Sequence, residues 1–582
     1  MPWISFSGSP KIAKTGRTPH GRARWVCVAA LLGIWAGIIV IINPVGEFMV
    51  NDDWAYVRSL ESLMHSGGLE TTGHGPLHAP GGPALVTHLL WGLAFVKAAG
   101  FSLTVLRVSV LTLGILASIV LFLMLLRCGA SAGLSLLGTL TLVFNPLFLS
   151  QCFSFMTDIT FTGFALVSVF FFHLGVQRSN TRIVALGLAF ALAATLTRQL
   201  GLVLAVGFVA TCFMHPKGTE LGRFKMVIAA LGIVVAPWIG YEVLLHWLGS
   251  TSILEHSMLH NAVMYAYSMD ARQYVEFLSR HILVSTLGYA CVLISPILAV
   301  RYGGLWSSGR FRLCVATLTA GLAAYQLLLW FGIVDPPVIM NGNVIYDLGI
   351  GPVVLKDTYI MGIDRFPTLP KSVYAVIVYW SVIAVGVFIA LAADSVRNAI
   401  RRQGSPERPS SDFLAVNCLL TALVYMAIVV PLGPYDRYLI LPCALLIVWV
   451  VARMPSPKKV PLSLGSIVPV ALPLLCLIIF SVAGTRDFLE MKRSLSTAHD
   501  YVLNVMKVNP CHVDGGFEFN GYHCYRKGLP HQTGLSWWWV EEEKYLITLG
   551  TLPGYRVIRT FPFPRVWGPD GSVFLLEPVM DQ

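Results

Sequence analysis

A chain of 582 residues with 55% hydrophobic and 12% charged side chains has too few charges to clothe a water-soluble surface; ordinary soluble domains carry roughly 25% charged residues. Soluble enzymes and disordered segments are excluded, and a polytopic α-helical membrane protein remains. The formal net charge of +11 is what results when Lys and Arg collect in cytoplasmic loops, and it calls for no nucleic-acid partner.

The chain opens with a cytoplasmic basic stretch, 1–24, holding Lys11, Lys14, Arg17, Arg22 and Arg24. An apolar run from Trp25 to Val45 follows and ends near Asn43-Pro44. It is long enough to span a bilayer and lacks a small-residue cleavage site, so it reads as an uncleaved first span. The first outer loop, 46–102, begins with Asn51-Asp52-Asp53-Trp54-Ala55-Tyr56 and continues through a Gly/Pro-rich stretch with His74 and His78. Residues 84–100 read as a helix lying along the interface. Further spans are expected near 103–126, 132–150, 159–176, 226–247, 282–300, 312–334, 372–392, 413–432, 436–452 and 462–484. The apolar run 183–214 is expected to be two short spans broken at Arg198, for about 13 spans in all.

This topology follows the basic residues. Roughly 21 Lys and Arg fall in the inside segments and roughly 9 in the outside loops before residue 485, the asymmetry the positive-inside rule expects. Acids play no part in that count, yet it sends Asp52, Asp53, Asp158, Arg198, Asp436 and Arg437 to the outer face. Long outer loops near 248–281 and 335–371 are candidates for substrate contact and equally for plain connections.

The domain expected over 25–484 is therefore transmembrane, and 485–582 reads as a small soluble α+β extracytoplasmic domain. It has a helix from Arg486 to Met506, strands at Tyr555–Phe563 and Ser572–Pro578, and turns at Asp514-Gly515-Gly516 and Asn520-Gly521. The cysteines mostly stand singly in apolar segments, with no CxxC and no zinc spacing. Cys511 and Cys524 are the exception. They are a candidate disulfide in an oxidising compartment, two free thiols being the other reading.

Asp52 and Asp53 form the leading candidate site. Adjacent carboxylates repel, so one pKa rises and that acid becomes a better general base near neutrality. The blander reading is a helix cap before Tyr56 and Leu60. Asp158, at the outer start of a span, suits either a helix N-terminus or a second carboxylate facing Asp52. Such a carboxylate can orient a hydroxyl or a divalent cation, Mg or Mn. No metal ligand set is assigned. Arg198 and Arg437 are candidate ligands for an anionic lipid phosphate, with Asp436 as a neutralising neighbour of Arg437. His74 and His78 are weaker candidates for substrate contact.

The order of these motifs resembles the GT-C superfamily of polyprenyl-phosphate-sugar transferases. The nearest branch is the one with protein O-mannosyltransferases, the lipid A aminoarabinose transferase and Rgt-type lipopolysaccharide transferases. The resemblance rests on Asp52-Asp53-Trp54-Ala55-Tyr56, the Gly/Pro/His segment at 73–83, Met156-Thr157-Asp158, Thr197-Arg198-Gln199 and Tyr435-Asp436-Arg437-Tyr438. It is clearest over the first ~215 residues and does not extend through 250–410. The resemblance implies Asp52 as the catalytic base, assisted by Asp53 and Asp158. His74, His78, Arg198, Asp436, Arg437 and Tyr438 would then bind substrate. The implied partners are a polyprenyl-phosphate-linked sugar donor, a glycan, lipid or protein acceptor, and membrane lipid. The implied location is the plasma (bacterial inner) membrane. The chain departs from the family pattern in two places. It has Asp52-Asp53 where Asp-Glu is frequent, and only His74 or His78 where a Lys or His often stands. A secondary transporter is the rival class, but transporters place ionisable groups at midplane helix breaks and often carry internal repeats.

Overall fold

The computed structural model describes residues 19–66, 85–214, 222–247, 268–270, 273, 286–301, 309–331, 343–346, 349–363, 365, 371–401, 410–432, 435–454, 464–525, 536 and 538–579. His74 and His78, and most of the two long loops, lie outside these residues.

The chain is mainly helical. Helix α1 (Pro19–Ile42) leads to the short helices α2 (Asp53–Ser66) and α3 (Val86–Ala99), and then to α4 (Leu103–Arg127). Helix α4 starts where Ser102 Oγ accepts the Val105 N–H at 3.1 Å, a side-chain cap on an otherwise unpaired donor. The expected span at 132–150 is two pieces, α5 (Ala132–Val143) and α6 (Pro146–Cys152), bent by 68°. The sequence dictates the bend. Asn145 Oδ1 caps the Leu147 N–H at 3.0 Å, and Pro146 fits the first helical position but not a helix interior. Helix α7 (Thr157–Gln177) packs against α8 (Thr181–Thr195), which Asn180 caps. The apolar run then breaks at Leu196-Thr197-Arg198 before α9 (Leu202–Met214).

Helices α10 (Arg223–Ala230) and α11 (Ala236–Trp247) join through one π-turn. The region expected to be a span at 282–300 holds two short helices, α12 (Tyr289–Leu293) and α13 (Ser295–Ala299). Then come α14 (Gly309–Trp330), α15 (Lys371–Arg401), α16 (Ser410–Val429), α17 (Ile440–Ala452) and α18 (Leu464–Asp500). Among the described residues, seven helices are long and apolar enough to cross a membrane, or eight if the bent pair is one span. Three more apolar helices, Val86–Ala99, Thr181–Thr195 and Gln199–Met214, are shorter. Helices approach closely where a side chain is missing: a Cβ on Gly187 would lie 2.6 Å from the Phe172 ring.

Helix α18 crosses residue 485 without a break. Its 37 residues reach about 55 Å at 1.5 Å per residue, more than a span requires. The short strands β1 (Ile345–Tyr346) and β2 (Gly349–Ile350) pair antiparallel with each other, and the upper part of α18 carries the C-terminal sheet, of strand order β3-β4-β6-β5: β3 (Val513–Asp514), β4 (Tyr545–Thr548), β5 (Tyr555–Phe563) and β6 (Gly571–Pro578). Strands β5 and β6 pair antiparallel from Tyr555↔Pro578 to Phe563↔Gly571. Asn520-Gly521, expected as a turn, lies inside a helix, α19 (Phe517–Cys524). Packing explains the difference: Gly521 is the position where α19 meets the Trp54 ring, and a Cβ there would sit 2.4 Å from Trp54 Cε2. Cys511 and Cys524 are joined as a disulfide with Cα atoms 5.6 Å apart.

Candidate active site

Two ion pairs form the centre of the site. Arg437 Nη2 donates to Asp52 Oδ2 at 3.1 Å, and Arg198 Nη1 pairs with Asp158 Oδ1. Asp158 sits in the first turn of α7, where the positive helix end favours an acid. Arg198 occupies the break between α8 and α9 in extended conformation, and its guanidinium lies over the Tyr438 ring at 4.6 Å. Arg437 is held in a short 3-10 turn, Asp436–Leu439, with Tyr435 5.3 Å from its guanidinium and Met156 Sδ 3.9 Å from Nη1. The first loop, the start of α7, the helix break and the entry to α17 therefore meet at one place.

Asp52 is the acid of this group that reaches solvent, its side chain being 22% exposed against 7% for Arg437. Asp158, Arg198 and Asp436 are buried. Among the described residues, Asp158 Oδ2 and Arg437 Nε have no hydrogen-bond partner. Arg437 thus keeps one N–H donor unused beside its pair with Asp52.

Asp53 faces the other way. It opens α2, is 3% exposed, and its Oδ2 accepts the N–H groups of Val50 at 3.2 Å and Phe155 at 3.0 Å. Burial pushes its pKa up to about 7, against the lowering pull of the Phe155 N–H and of Arg107. The raised pKa expected of one member of the pair thus falls on Asp53, the buried one. A neutral Asp53 spares Asp52 a second negative charge beside it. The geometry makes Asp53 a tie between the first loop and α7.

Asp436 also differs from a ligand-facing acid. Its carboxylate accepts backbone N–H groups from Asn343 at 3.2 Å, Val344 at 3.0 Å and Ile345 at 2.7 Å. Asp436 therefore clamps the loop around 343–345 onto the site. The Tyr438 ring lies under the Arg198 guanidinium.

Several contributors escape a reading of the sequence. Arg107, inside α4 and 1% exposed, donates to the carbonyls of Pro44 at 2.5 Å and Phe48 at 2.8 Å and stacks on Phe48 at 4.0 Å. It shapes the chain that leads to Asp52. His88 bridges Thr160 Oγ1 at 2.9 Å and the Phe155 carbonyl at 3.0 Å. Glu518, on α19, accepts the Asn51 N–H at 3.0 Å while Lys492 of α18 donates to the same oxygen at 2.5 Å. Asn51 is left-handed, with φ 55°, and its Nδ2 donates to Asn343 Oδ1 at 3.0 Å. The result is a closed circuit: Asp52, Asn51, Asn343, Asp436, Arg437 and back to Asp52. An intramembrane Arg is a visible signal for Arg107; nothing in the local sequence marks Glu518 or Asn343.

Trp54 packs against Phe517 at 5.8 Å, Tyr525 at 5.5 Å and Trp539 at 5.4 Å, so part of the Trp537-Trp538-Trp539 run is domain core. A divalent cation does not fit the residues present. Asp52 and Asp158 each face a guanidinium, and among the described residues no three His, Cys, Asp or Glu side chains converge.

No family model matches the chain, and no curated protein matches it. Among solved structures the chain is similar to two crystal structures of ArnT from Cupriavidus metallidurans. For the one bound to undecaprenyl phosphate, identity is 16% and TM-score 0.37, over 86% of this chain and 85% of that one. For the apo state the values are 16% and 0.35, over 86% and 84%. At this identity and these TM-scores the likeness decides neither the fold nor the reaction.

Proposed function

We propose that the protein is an inverting glycosyltransferase that moves a sugar from a polyprenyl phosphate to a hydroxyl or amine of a glycan, lipid or protein. It would work at the outer face of the plasma (bacterial inner) membrane, with 1–24 cytoplasmic and 485–582 extracytoplasmic. The observation that carries the reading is the Arg437–Asp52 pair: a solvent-reaching acid held by a buried cation that has a donor to spare. The neighbouring Arg198–Asp158 pair supports it. A disulfide between Cys511 and Cys524 suits an oxidising compartment.

In this reading the donor phosphate competes with Asp52 for Arg437. A phosphate with two charge-bearing oxygens is a better partner for a guanidinium fork than one carboxylate oxygen. Once Arg437 turns to the phosphate, Asp52 Oδ2 is free to accept the acceptor's proton. The acceptor oxygen or nitrogen then bonds to the anomeric carbon from the face opposite the phosphate. The bond from that carbon to the phosphate oxygen breaks, and its electron pair leaves with polyprenyl phosphate. Arg437 and Arg198 stabilise the developing charge in a low-dielectric setting. Acceptor activation thereby waits on donor binding, which limits wasteful hydrolysis.

The test is transfer in proteoliposomes loaded with a radiolabelled polyprenyl-phosphate sugar and an envelope extract as acceptor. Label should leave the polyprenyl fraction as polyprenyl phosphate appears. Movement of intact sugar-lipid across the bilayer, with no bond broken, would favour a transporter instead.

A further inference from the structure

Helix α18 serves as a ruler for depth. Its apolar part ends near Ala483, and one turn later Asp487 accepts two backbone N–H groups: Val566 at 2.7 Å on Oδ1 and Trp567 at 2.8 Å on Oδ2. Both residues lie in the turn between β5 and β6. Six residues further along α18, Arg493 donates to the Ile42 carbonyl at 3.4 Å, to Asn43 and to the Val45 carbonyl at 2.9 Å. Those carbonyls mark the end of the first apolar helix, whose membrane-spanning stretch is Ala23–Ile42.

Six helical residues rise about 9 Å. Along α18 the residue that holds the β5–β6 turn thus lies about 9 Å nearer the apolar end of the helix than the residue that holds the end of α1. Strand β5 descends along the helix to reach the turn, with Ser494 Oγ donating to the Phe561 carbonyl at 2.9 Å on the way. At the bottom of this descent two apolar side chains are open, Val566 at 58% and Trp567 at 37% exposure, in a turn where the Arg565 N–H donates to Asp570 Oδ1 at 3.2 Å. Water would be an unfavourable medium for them, while an indole suits the boundary between headgroups and acyl chains.

We infer that the β5–β6 turn is a membrane-seated anchor, with Val566 and Trp567 inserted into the headgroup–acyl boundary of the leaflet facing the C-terminal sheet. The partner is the bilayer surface. Two attachments, α18 and this turn, then fix the sheet against the membrane, and α19 cannot tilt away from the first loop.

The test uses the full chain in proteoliposomes, with the free cysteines replaced and the disulfide kept. An environment-sensitive NBD probe is attached after Val566→Cys or, as a control, Arg556→Cys. Arg556 lies near the far end of β5, about 23 Å along the strand from Phe563, and its side chain is 73% exposed. The probe at 566 should be quenched several-fold more by lipid carrying a nitroxide near the glycerol than by aqueous iodide, and the probe at 556 should show the reverse. Equal iodide quenching at both positions would overturn the anchor. A photocrosslinking residue at 566 in the otherwise unchanged chain gives a second readout, where a lipid adduct supports the anchor and its absence, with water-quenched probe only, refutes it. Neither readout depends on sugar transfer.

Discussion

Asp52→Asn and Asp53→Asn should separate two adjacent, identical residues into an activity effect and a stability effect. Asn at 52 keeps an oxygen for Arg437 Nη2 but cannot take a proton. A positioned general base contributes about 10²–10⁴-fold, so transfer should fall by that factor, about 3–5 kcal/mol on the barrier. Folding should change little, because the Asp52 side chain reaches solvent and partly exposed pairs contribute about 1 kcal/mol or less. Asp53 is the opposite case. Its folded pKa is raised by burial to about 7 from an unfolded value of 3.8. Between those values the unfolded chain releases a proton that the folded chain keeps. Stability therefore falls as pH rises through this window and levels off above about 7. Asn does not titrate, so Asp53→Asn should flatten that slope. Transfer in proteoliposomes measures the first effect, and thermal denaturation in detergent from acid to neutral pH measures the second. The reasoning is refuted if Asp52→Asn keeps full transfer, or if Asp53→Asn loses transfer while its stability still falls with pH as in the parent.

Arg198→Ala strands Asp158 without its buried partner and should destabilise the protein by about 3–5 kcal/mol, read as a drop in melting temperature. Arg198→Lys keeps the charge but loses the planar fork over Tyr438, so the KM for the polyprenyl donor should rise more than kcat falls. Glu518→Ala should lower kcat by freeing Asn51 and exposing Lys492 to an unpaired burial. Glu518→Gln, which still accepts the Asn51 N–H, should recover part of it, and equal loss in both variants would point to the ion pair alone. Gly521→Ala forces a methyl into the Trp54 ring and should cost about 1–3 kcal/mol in thermal denaturation. Cys511→Ser removes a cross-link that adds about 3 kcal/mol in the chain-entropy model, and reductant should lower the parent's melting temperature to that of the variant.

The long apolar helices were legible because span length and hydropathy are local properties. So was the break at Leu196-Thr197-Arg198, because a charge inside an apolar run is conspicuous. Charge asymmetry between loops assigns Asp52, Asp158, Arg198 and Arg437 to one side, but it does not place them in contact. What stayed hidden depends on long-range packing. The division of labour between Asp52 and Asp53 is set by whether each faces solvent or the Phe155 N–H, and neighbours in sequence say nothing of that. Asp436 reads like a substrate ligand beside Arg437, yet three N–H groups from residues 343–345 claim it. Asn520-Gly521 has turn chemistry, but the close approach of Trp54 makes the glycine a packing feature.

The bond between the Asn51 N–H and Glu518 joins residues 467 positions apart. During synthesis at about 5–20 residues per second, Asp52 would wait roughly half a minute to a minute and a half before Glu518 exists to hold its neighbour. Every helix between them must be inserted first. A nascent or truncated chain that stops before Glu518 therefore carries its candidate base in an unfinished setting.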